Sequence, residues 1–178
     1  MNGKVAILIG SETDMETMEA SRIYFEYFNI EMELMVMSAH RNPDQVAKFA
    51  SSARDNGYDV LIGAAGMAAH LAGAIKAHST LPVIGVPLAG GIQDGTDALF
   101  ATVQMPKGVP VATMSVGKSG MINAAILCAE IFALNNSETI DKLKEFDGFR
   151  IKIMMTGTNQ ATPPRVREFR AIALSWYL

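Results

Sequence analysis

The segment MVMSAHRNPDQV, residues 35–46, places His40 directly before Arg41, where an apolar run gives way to a polar, proline-marked segment. A guanidinium group donates a planar fork of hydrogen bonds that fits a phosphate group. Arg41 is therefore a candidate phosphate ligand. Taken alone, a His-Arg pair at this place is also compatible with two solvated polar residues at the end of a strand, so the interpretation depends on the other loops.

A second candidate anion site is the segment GSETD, residues 10–14, which follows an apolar run and leads into a helical pattern. Its amides, its hydroxyls and the helix N-terminus suit an anion such as phosphate. The Asp14 carboxylate is a better acceptor for ribose hydroxyls. Alternatively, Ser11, Thr13 or Asp14 simply caps the helix. Together with Arg41, this loop predicts a phosphorylated ribose as the ligand.

The elements that position these loops follow from the hydrophobic pattern. Short apolar runs alternate with helical patterns, and the runs are VAILIG, EMELMVM, DVLIGAA, PVIGVPL and PVATMSV. The predicted helices cover residues 14–28, 43–56, 70–77, 96–103 and 119–134. Strands separated by helices indicate crossover connections and a parallel sheet buried on both faces. We predict an α/β fold, a three-layer sandwich with a parallel sheet of flavodoxin-like type.

This architecture places the candidate loops together. In open α/β sheets the ligand lies beyond the carboxyl ends of the strands. Residues 10–14, 38–44 and 64–73 follow the first three predicted strands and are rich in small or polar residues. Two of these loops carry a histidine, His40 and His70. We expect the three loops to converge on a single ligand.

The composition limits the classes of function. A chain of 178 residues is long enough for one domain with a sizeable core. Its formal charge of −3 gives no basic footprint for nucleic acid or for an anionic membrane. No segment approaches the roughly 20 apolar residues that a membrane-spanning helix needs, and the first residues do not form a signal-peptide pattern. We therefore expect a cytoplasmic protein without nucleic-acid or membrane partners.

Three other classes of protein compete with this interpretation. The GSETD loop also resembles the hydroxyl-rich phosphate loops of flavodoxins, but the loops hold no aromatic residues to flank an FMN ring. A phosphoacceptor receiver would need an aspartate after the third strand, where GAAGMA has only small and apolar residues. A metal enzyme would need clustered ligands, and Cys128 is the only cysteine. We predict neither a metal nor a cofactor.

Six segments resemble the class I N5-carboxyaminoimidazole ribonucleotide mutase family, also called the catalytic subunit of phosphoribosylaminoimidazole carboxylase. They are GSETDMETM, SAHRNPD, GMAAHLAG, LPVIGVP, DALFATVQMPKGVPVAT and GKSGMINAAIL. The resemblance runs from about Val5 to Leu134. Arg41 distinguishes the chain from the animal-type branch that carboxylates with free CO2, which is expected to have lysine at this place.

The resemblance implies an isomerase of de novo purine (IMP) biosynthesis that moves a carboxylate from an exocyclic nitrogen to ring carbon C4. It implies that His40 is the general acid/base, because an imidazole both gives and takes a proton near neutral pH. For His70, helix capping or a lid contact is as compatible as proton transfer. The residues that we expect to bind the substrate are Ser11, Asp14, Ser38, Arg41, Ala65, Gly66 and His70. The resemblance also implies a homo-octamer and a partner ATP-dependent carboxyaminoimidazole ribonucleotide synthetase.

The third loop departs from the family pattern at two positions. Met67 stands where a glycine usually precedes Ala-Ala-His, and Ala72 stands where a proline usually follows His-Leu. We expect these changes to add bulk near the CO2 pocket and to loosen the loop.

The C-terminal segment lies beyond the resemblance. Residues 149–178 carry five basic side chains and one acidic one, after an acidic body. Within it Val166, Phe169, Ala173 and Trp176 recur at helical spacing. We predict one α/β domain over residues 1–148 and a helical extension over 149–178. Because the resemblance implies an octamer, we expect this extension to pack on a neighbouring subunit; the alternative is that it packs on its own chain.

Overall fold

Strands and helices alternate through residues 3–147, the part of the chain that the computed structural model describes. The strands are β1 Lys4–Ile9, β2 Glu31–Val36, β3 Val60–Ala65, β4 Val83–Pro87 and β5 Ala112–Thr113. The helices are α1 Met15–Tyr27, α2 Pro43–Ser52, α3 Leu71–His78, α4 Thr96–Val103, α5 Lys118–Ala133 and α6 Ser137–Asp147. Residues Met1–Glu145 belong to one compact unit.

The five strands form one parallel sheet in the order β2-β1-β3-β4-β5. On the flanks of this sheet, α1 packs against α5 and α2 packs against α3. The predicted three-layer α/β sandwich is confirmed, and the strand order is that of flavodoxin-like folds.

Burial explains why the strands lack polar–apolar alternation. The five residues Val5 to Ile9 of β1 are fully buried, and all of β4 is buried, because helices cover both faces. The edge strand β2 is partly exposed along its length. The other edge strand is shorter than predicted, since only Ala112 and Thr113 of PVATMSV pair with β4. Helix α6 lies in a region to which the sequence assigned no element.

Two glycines let α3 approach the sheet closely. Gly63 of β3 and Gly85 of β4 are register partners. A Cβ on Gly63 would lie 2.8 Å from the Cα of Ala72, and a Cβ on Gly85 would lie 3.2 Å from the Ala72 side chain. The first distance is too short for a real Cβ, and the second is tighter than most real Cβ contacts, so the glycines allow the first turn of α3 to lie close to the sheet. This contact fixes the position of His70, the residue directly before α3.

The sequence also predicted that no helix spans a membrane and that the C-terminal segment forms a helix. Within residues 3–147, no helix is both long enough and apolar enough to cross a membrane. The predicted helical extension over residues 149–178 lies outside the described residues.

Candidate active site

A cleft of about 630 Å³ opens at the carboxyl ends of the strands. Loops after β1, β2, β3 and β4 line it. The sequence-predicted site residues that line this cleft are Ser11, Asp14, Ser38, His40, Arg41, Ala65 and Gly66. The remaining one, His70, is not among the lining residues but contacts His40. The expected convergence of three loops is therefore present, together with a fourth loop that the sequence did not suggest.

In the loop after β1, the Ser11 hydroxyl caps a turn and the Asp14 carboxylate does not. The Ser11 hydroxyl accepts hydrogen bonds from the Thr13 amide at 3.4 Å and from the Thr13 hydroxyl at 3.0 Å. Ser11 thus caps the short 3-10 turn Glu12–Asp14. Asp14 precedes α1 but makes no side-chain capping bond. The capping alternative is right for Ser11, whereas the Asp14 carboxylate remains available to a ligand.

Asp14 is partly buried and lines the cleft. Burial raises the pKa of its carboxyl above the ordinary value, and a backbone hydrogen bond from Ser11, the positive charge of Arg41 and a hydrogen bond from Thr13 act in the opposite direction. The carboxylate and the guanidinium therefore face the same space from two loops. One group attracts ligand hydroxyls and the other attracts ligand anions.

The loop after β2 is a tight turn built around Ser38. The Ser38 hydroxyl is buried and accepts a hydrogen bond from the Arg41 amide at 3.2 Å, and the Ser38 carbonyl accepts one from the Asn42 amide at 2.8 Å. The turn exposes His40 and Arg41 in the cleft. The Arg41 guanidinium donates to the Gly10 carbonyl oxygen at 2.5 Å, which ties the second loop to the first. A guanidinium group carries five N–H donors, so it can bind an anion in addition to this carbonyl.

The loop after β3 contains a strained residue. Met67 has a φ of 55°, in the left-handed region that disfavours residues with a Cβ by about 1–2 kcal/mol. Its side chain is 65% exposed and lines the cleft. Two tight turns follow, with hydrogen bonds from the Ala69 amide to the Met67 carbonyl and from the His70 amide to the Ala68 carbonyl. The other departure from the family pattern, Ala72, is only 2% exposed and packs on the sheet.

The two histidines of these loops contact each other. His40 Nε2 lies 2.9 Å from His70 Nδ1. Their ring centroids are 5.1 Å apart, with an angle of 74° between the ring planes. His70 precedes α3, yet its side chain makes no capping hydrogen bond. The structure therefore places this side chain against His40 and not against the helix end.

The loop after β4 also lines the cleft, although it was not predicted from the sequence. Ala89, Gly90 and Gly91 line the cleft, and both glycines have positive φ values, 105° and 65°. The Gly90 amide donates to the Asp94 carboxylate at 3.0 Å. The segment AGGIQDG, with three glycines directly after a buried strand, carries the signal that could have revealed this loop.

The lining also bears on the competing classes of protein. None of the residues that line this cleft is Phe, Tyr or Trp, so no aromatic ring is placed to flank a flavin. Among residues 3–147, no group of three or more His, Cys, Asp or Glu side chains is arranged to hold a metal ion. The only cysteine, Cys128, is buried within α5, and burial raises the pKa of its thiol.

Comparison with known proteins identifies the relatives of this chain. The AIR carboxylase family matches residues 4–150. The N5-carboxyaminoimidazole ribonucleotide mutase of Escherichia coli K12 is 45% identical over 143 residues, which cover 80% of this chain and 85% of that protein. The Bacillus subtilis protein of the same name is 45% identical and covers 82% of this chain and 90% of its own length.

Solved structures show the same architecture. The crystal structure of Treponema denticola PurE matches with a TM-score of 0.74 and 25% sequence identity. The match covers 85% of this chain and 99% of the Treponema chain. The five-stranded parallel sheet with flanking helices is thus the fold of that protein also.

Proposed function

The chain belongs to the AIR carboxylase family, and on this premise we propose that it is an N5-carboxyaminoimidazole ribonucleotide mutase in which His40 carries the proton. The premise rests on the match over residues 4–150 and on relatives of that name with 45% identity. The observation that carries the residue assignment is the meeting of His40, Arg41 and Asp14 in one cleft. These groups supply a proton carrier, an anion ligand and a hydroxyl acceptor.

The ribose phosphate of the substrate is assigned to the first two loops. Arg41 offers N–H groups to the phosphate, and Asp14 accepts from ribose hydroxyls. The Ser11 hydroxyl oxygen accepts two hydrogen bonds from Thr13, and its hydroxyl proton can be donated to a phosphate oxygen. Ser38 lies beneath Arg41 and shapes the turn. This arrangement orients the aminoimidazole ring toward His40 and the third loop.

In the proposed reaction His40 first donates a proton to the substrate and later accepts one from it. The bond between the exocyclic nitrogen and the carboxyl carbon breaks, CO2 leaves, and the electron pair stays on the nitrogen, which takes a proton from His40. Ring carbon C4 next attacks the CO2 carbon, and the new C–C bond forms. Finally C4 loses its hydrogen as a proton to neutral His40, and the ring electrons return. The proton balance over one turnover is zero, so a single acid/base suffices.

The third loop suits the retention of CO2 between the two steps. Ala65, Gly66, Met67 and Ala68 line this side of the cleft and present no charged side chain. Small residues allow the ring to approach the backbone closely, and an apolar wall keeps water from hydrating CO2 before C4 captures it.

We expect the purified full-length protein to convert N5-carboxyaminoimidazole ribonucleotide to the C4 carboxylate without ATP or added metal. No step of the proposed reaction oxidises, reduces or hydrolyses anything, so no co-reactant is required. Ultraviolet absorbance follows the conversion, and a parallel sample with the substrate alone gives the uncatalysed rate. A rate equal to that of the substrate alone would contradict the proposed function.

We further propose that the subunits assemble into a homo-octamer and that the substrate comes from an ATP-dependent synthetase. The resemblance to the family implies both. Exposed apolar side chains support assembly: Met67, Ile92, Phe100 and Val103 are between 48% and 70% exposed in the single chain. Burying such side chains between subunits would remove them from water.

The contribution of the C-terminal segment to assembly is testable by truncation. We predicted that residues 149–178 pack on a neighbouring subunit, so removing everything after Gly148 should reduce the molar mass of the particle below that of an octamer. Light scattering of the truncated and full-length proteins at equal concentration measures this. An intact octamer after truncation would show that the segment is not needed for assembly.

A further inference from the structure

The contact between His40 and His70 restricts where protons sit. A neutral imidazole has one N–H donor and one bare nitrogen acceptor. At 2.9 Å, His40 Nε2 and His70 Nδ1 are within hydrogen-bond distance, so one of these nitrogens carries a hydrogen and the other does not. If both nitrogens carried a hydrogen, the two hydrogens would repel each other. If neither did, two lone pairs would face each other. The contact therefore couples the tautomer of one ring to that of the other.

The position of His70 indicates which ring donates. His70 is the residue directly before α3, an eight-residue helix. The N-terminal end of a helix carries partial positive charge, which disfavours a cation there. His40 lies instead at the tip of a loop turn and lines the cleft. The lone pair of a bare nitrogen is therefore better placed on His70, and the N–H of the contact on His40.

We propose that His70 is the positioning residue for His40: its bare Nδ1 accepts the hydrogen on His40 Nε2. The assignment rests on the proposed function, since it gives His40 the role of proton carrier. His40 Nδ1 is then the nitrogen that exchanges a proton with the substrate. The contact persists when His40 becomes a cation, because a fully protonated imidazole still donates from Nε2 and donates more strongly. His70 thus holds the ring in one orientation through both proton steps.

The lining of the cleft indicates that His70 positions His40 and does not bind the substrate. His40 lines the cleft, whereas His70 is not among the residues that line it. A group that acts only through His40 should affect the chemical steps and leave the affinity for the substrate unchanged. The expected signature is a lower kcat at an unchanged KM.

Two substitutions of His70 form a matched pair. Asparagine places an amide oxygen near the position of the histidine Nδ1 and can accept from His40, whereas the serine hydroxyl is one bond closer to the backbone and cannot reach it. Both residues are favourable before a helix, so the stability of α3 stays comparable. We expect His70→Ser to lower kcat by about 10–100-fold, the loss found when histidines of metal sites lose an orienting partner. We expect kcat of His70→Asn to stay within about threefold of the wild type, which is small beside the loss expected for His70→Ser.

The tautomer itself is measurable by NMR. The chain has three histidines, so ¹⁵N labelling of histidine gives a simple spectrum of ring nitrogens. In the full-length free enzyme we expect a hydrogen on His40 Nε2 and a bare Nδ1 on His70. A hydrogen on His70 Nδ1, or a His70→Ser enzyme with native kcat, would overturn the proposal. An inactive His70→Asn enzyme would do so too, because it would show that His70 must titrate.

These outcomes are distinct from a failure of the proposed function. If the wild-type protein does not convert the ribonucleotide, the function is wrong, whereas the NMR result still reports the tautomer. If the wild type is active and the His70 variants behave otherwise than expected, only the positioning role is wrong.

Discussion

We expect the His40→Asn substitution to lower kcat by about 10⁴-fold or more. Removal of a positioned acid/base typically lowers the rate by about 10²–10⁴-fold, so this is the upper end of that range. Both proton steps of the proposed reaction depend on this one group, so no second residue replaces it. Asparagine hydrogen-bonds and is close in size, but it does not titrate. Substrate affinity should change far less than kcat, because the proton transfer contributes to the transition state. Steady-state kinetics followed by ultraviolet absorbance separates kcat from KM.

The matched control for this substitution is His78→Asn. His78 is the last residue of α3 and is not among the residues lining the cleft, so its variant should be as active as the wild type. A His40→Asn enzyme with near-native turnover, together with an inactive His70→Asn enzyme, would show that His70 is the proton carrier. If neither substitution changes the rate, the mutase assignment itself is in error.

Arg41→Lys should weaken binding of the ribonucleotide by about 1–3 kcal/mol, the scale of a hydrogen bond to a charged group. Lysine keeps the positive charge but loses the planar fork. The three donors of an ammonium share one nitrogen, so they do not reproduce a planar group that bonds to the Gly10 carbonyl, as Arg41 does, and also presents parallel N–H groups to a phosphate. The expected result is a higher KM with a smaller change in kcat. Calorimetric titration of ligand in a His40→Asn background measures the affinity without turnover.

Arg54→Lys provides the comparison for Arg41→Lys. Arg54 is also exposed and donates to the Thr80 hydroxyl at 3.0 Å, and it does not line the cleft. The same chemical change should therefore leave substrate binding unaffected there. Equal affinities for the Arg41→Lys and wild-type enzymes would remove Arg41 from the phosphate site.

The fold was predictable because its main signals are local. Buried strands such as VAILIG and helices with capping residues are visible in short windows, and the parallel topology follows from their alternation. The bounds of α4, Thr96–Val103, agree with the prediction. Strand β5 is shorter than its apolar segment, since only Ala112 and Thr113 pair with β4. No local pattern shows how far an edge strand remains paired.

The site was predictable in its members but not in its contacts. Loops after successive parallel strands must meet at one edge, so Ser11, Arg41 and Gly66 could be assigned to a common cleft. The 2.9 Å contact of His40 with His70 depends on the close approach of α3 to the sheet. Such an approach is a tertiary property, and a sequence shows only the small residues that permit it.

Strand β1 precedes the other four strands in the chain, yet it lies between β2 and β3 in the interior of the sheet. Its ladders join residues that are distant in sequence: Lys4 pairs with Glu31, and Val5 pairs with Val60. Closing such long loops costs entropy before any contact forms, which makes parallel sheets slow to fold. The residues that line the cleft extend from Gly10 to Gly91, so a nascent chain has no complete cleft until synthesis has passed Gly91. Stabilisation by bound nucleotide can begin only from that point in translation.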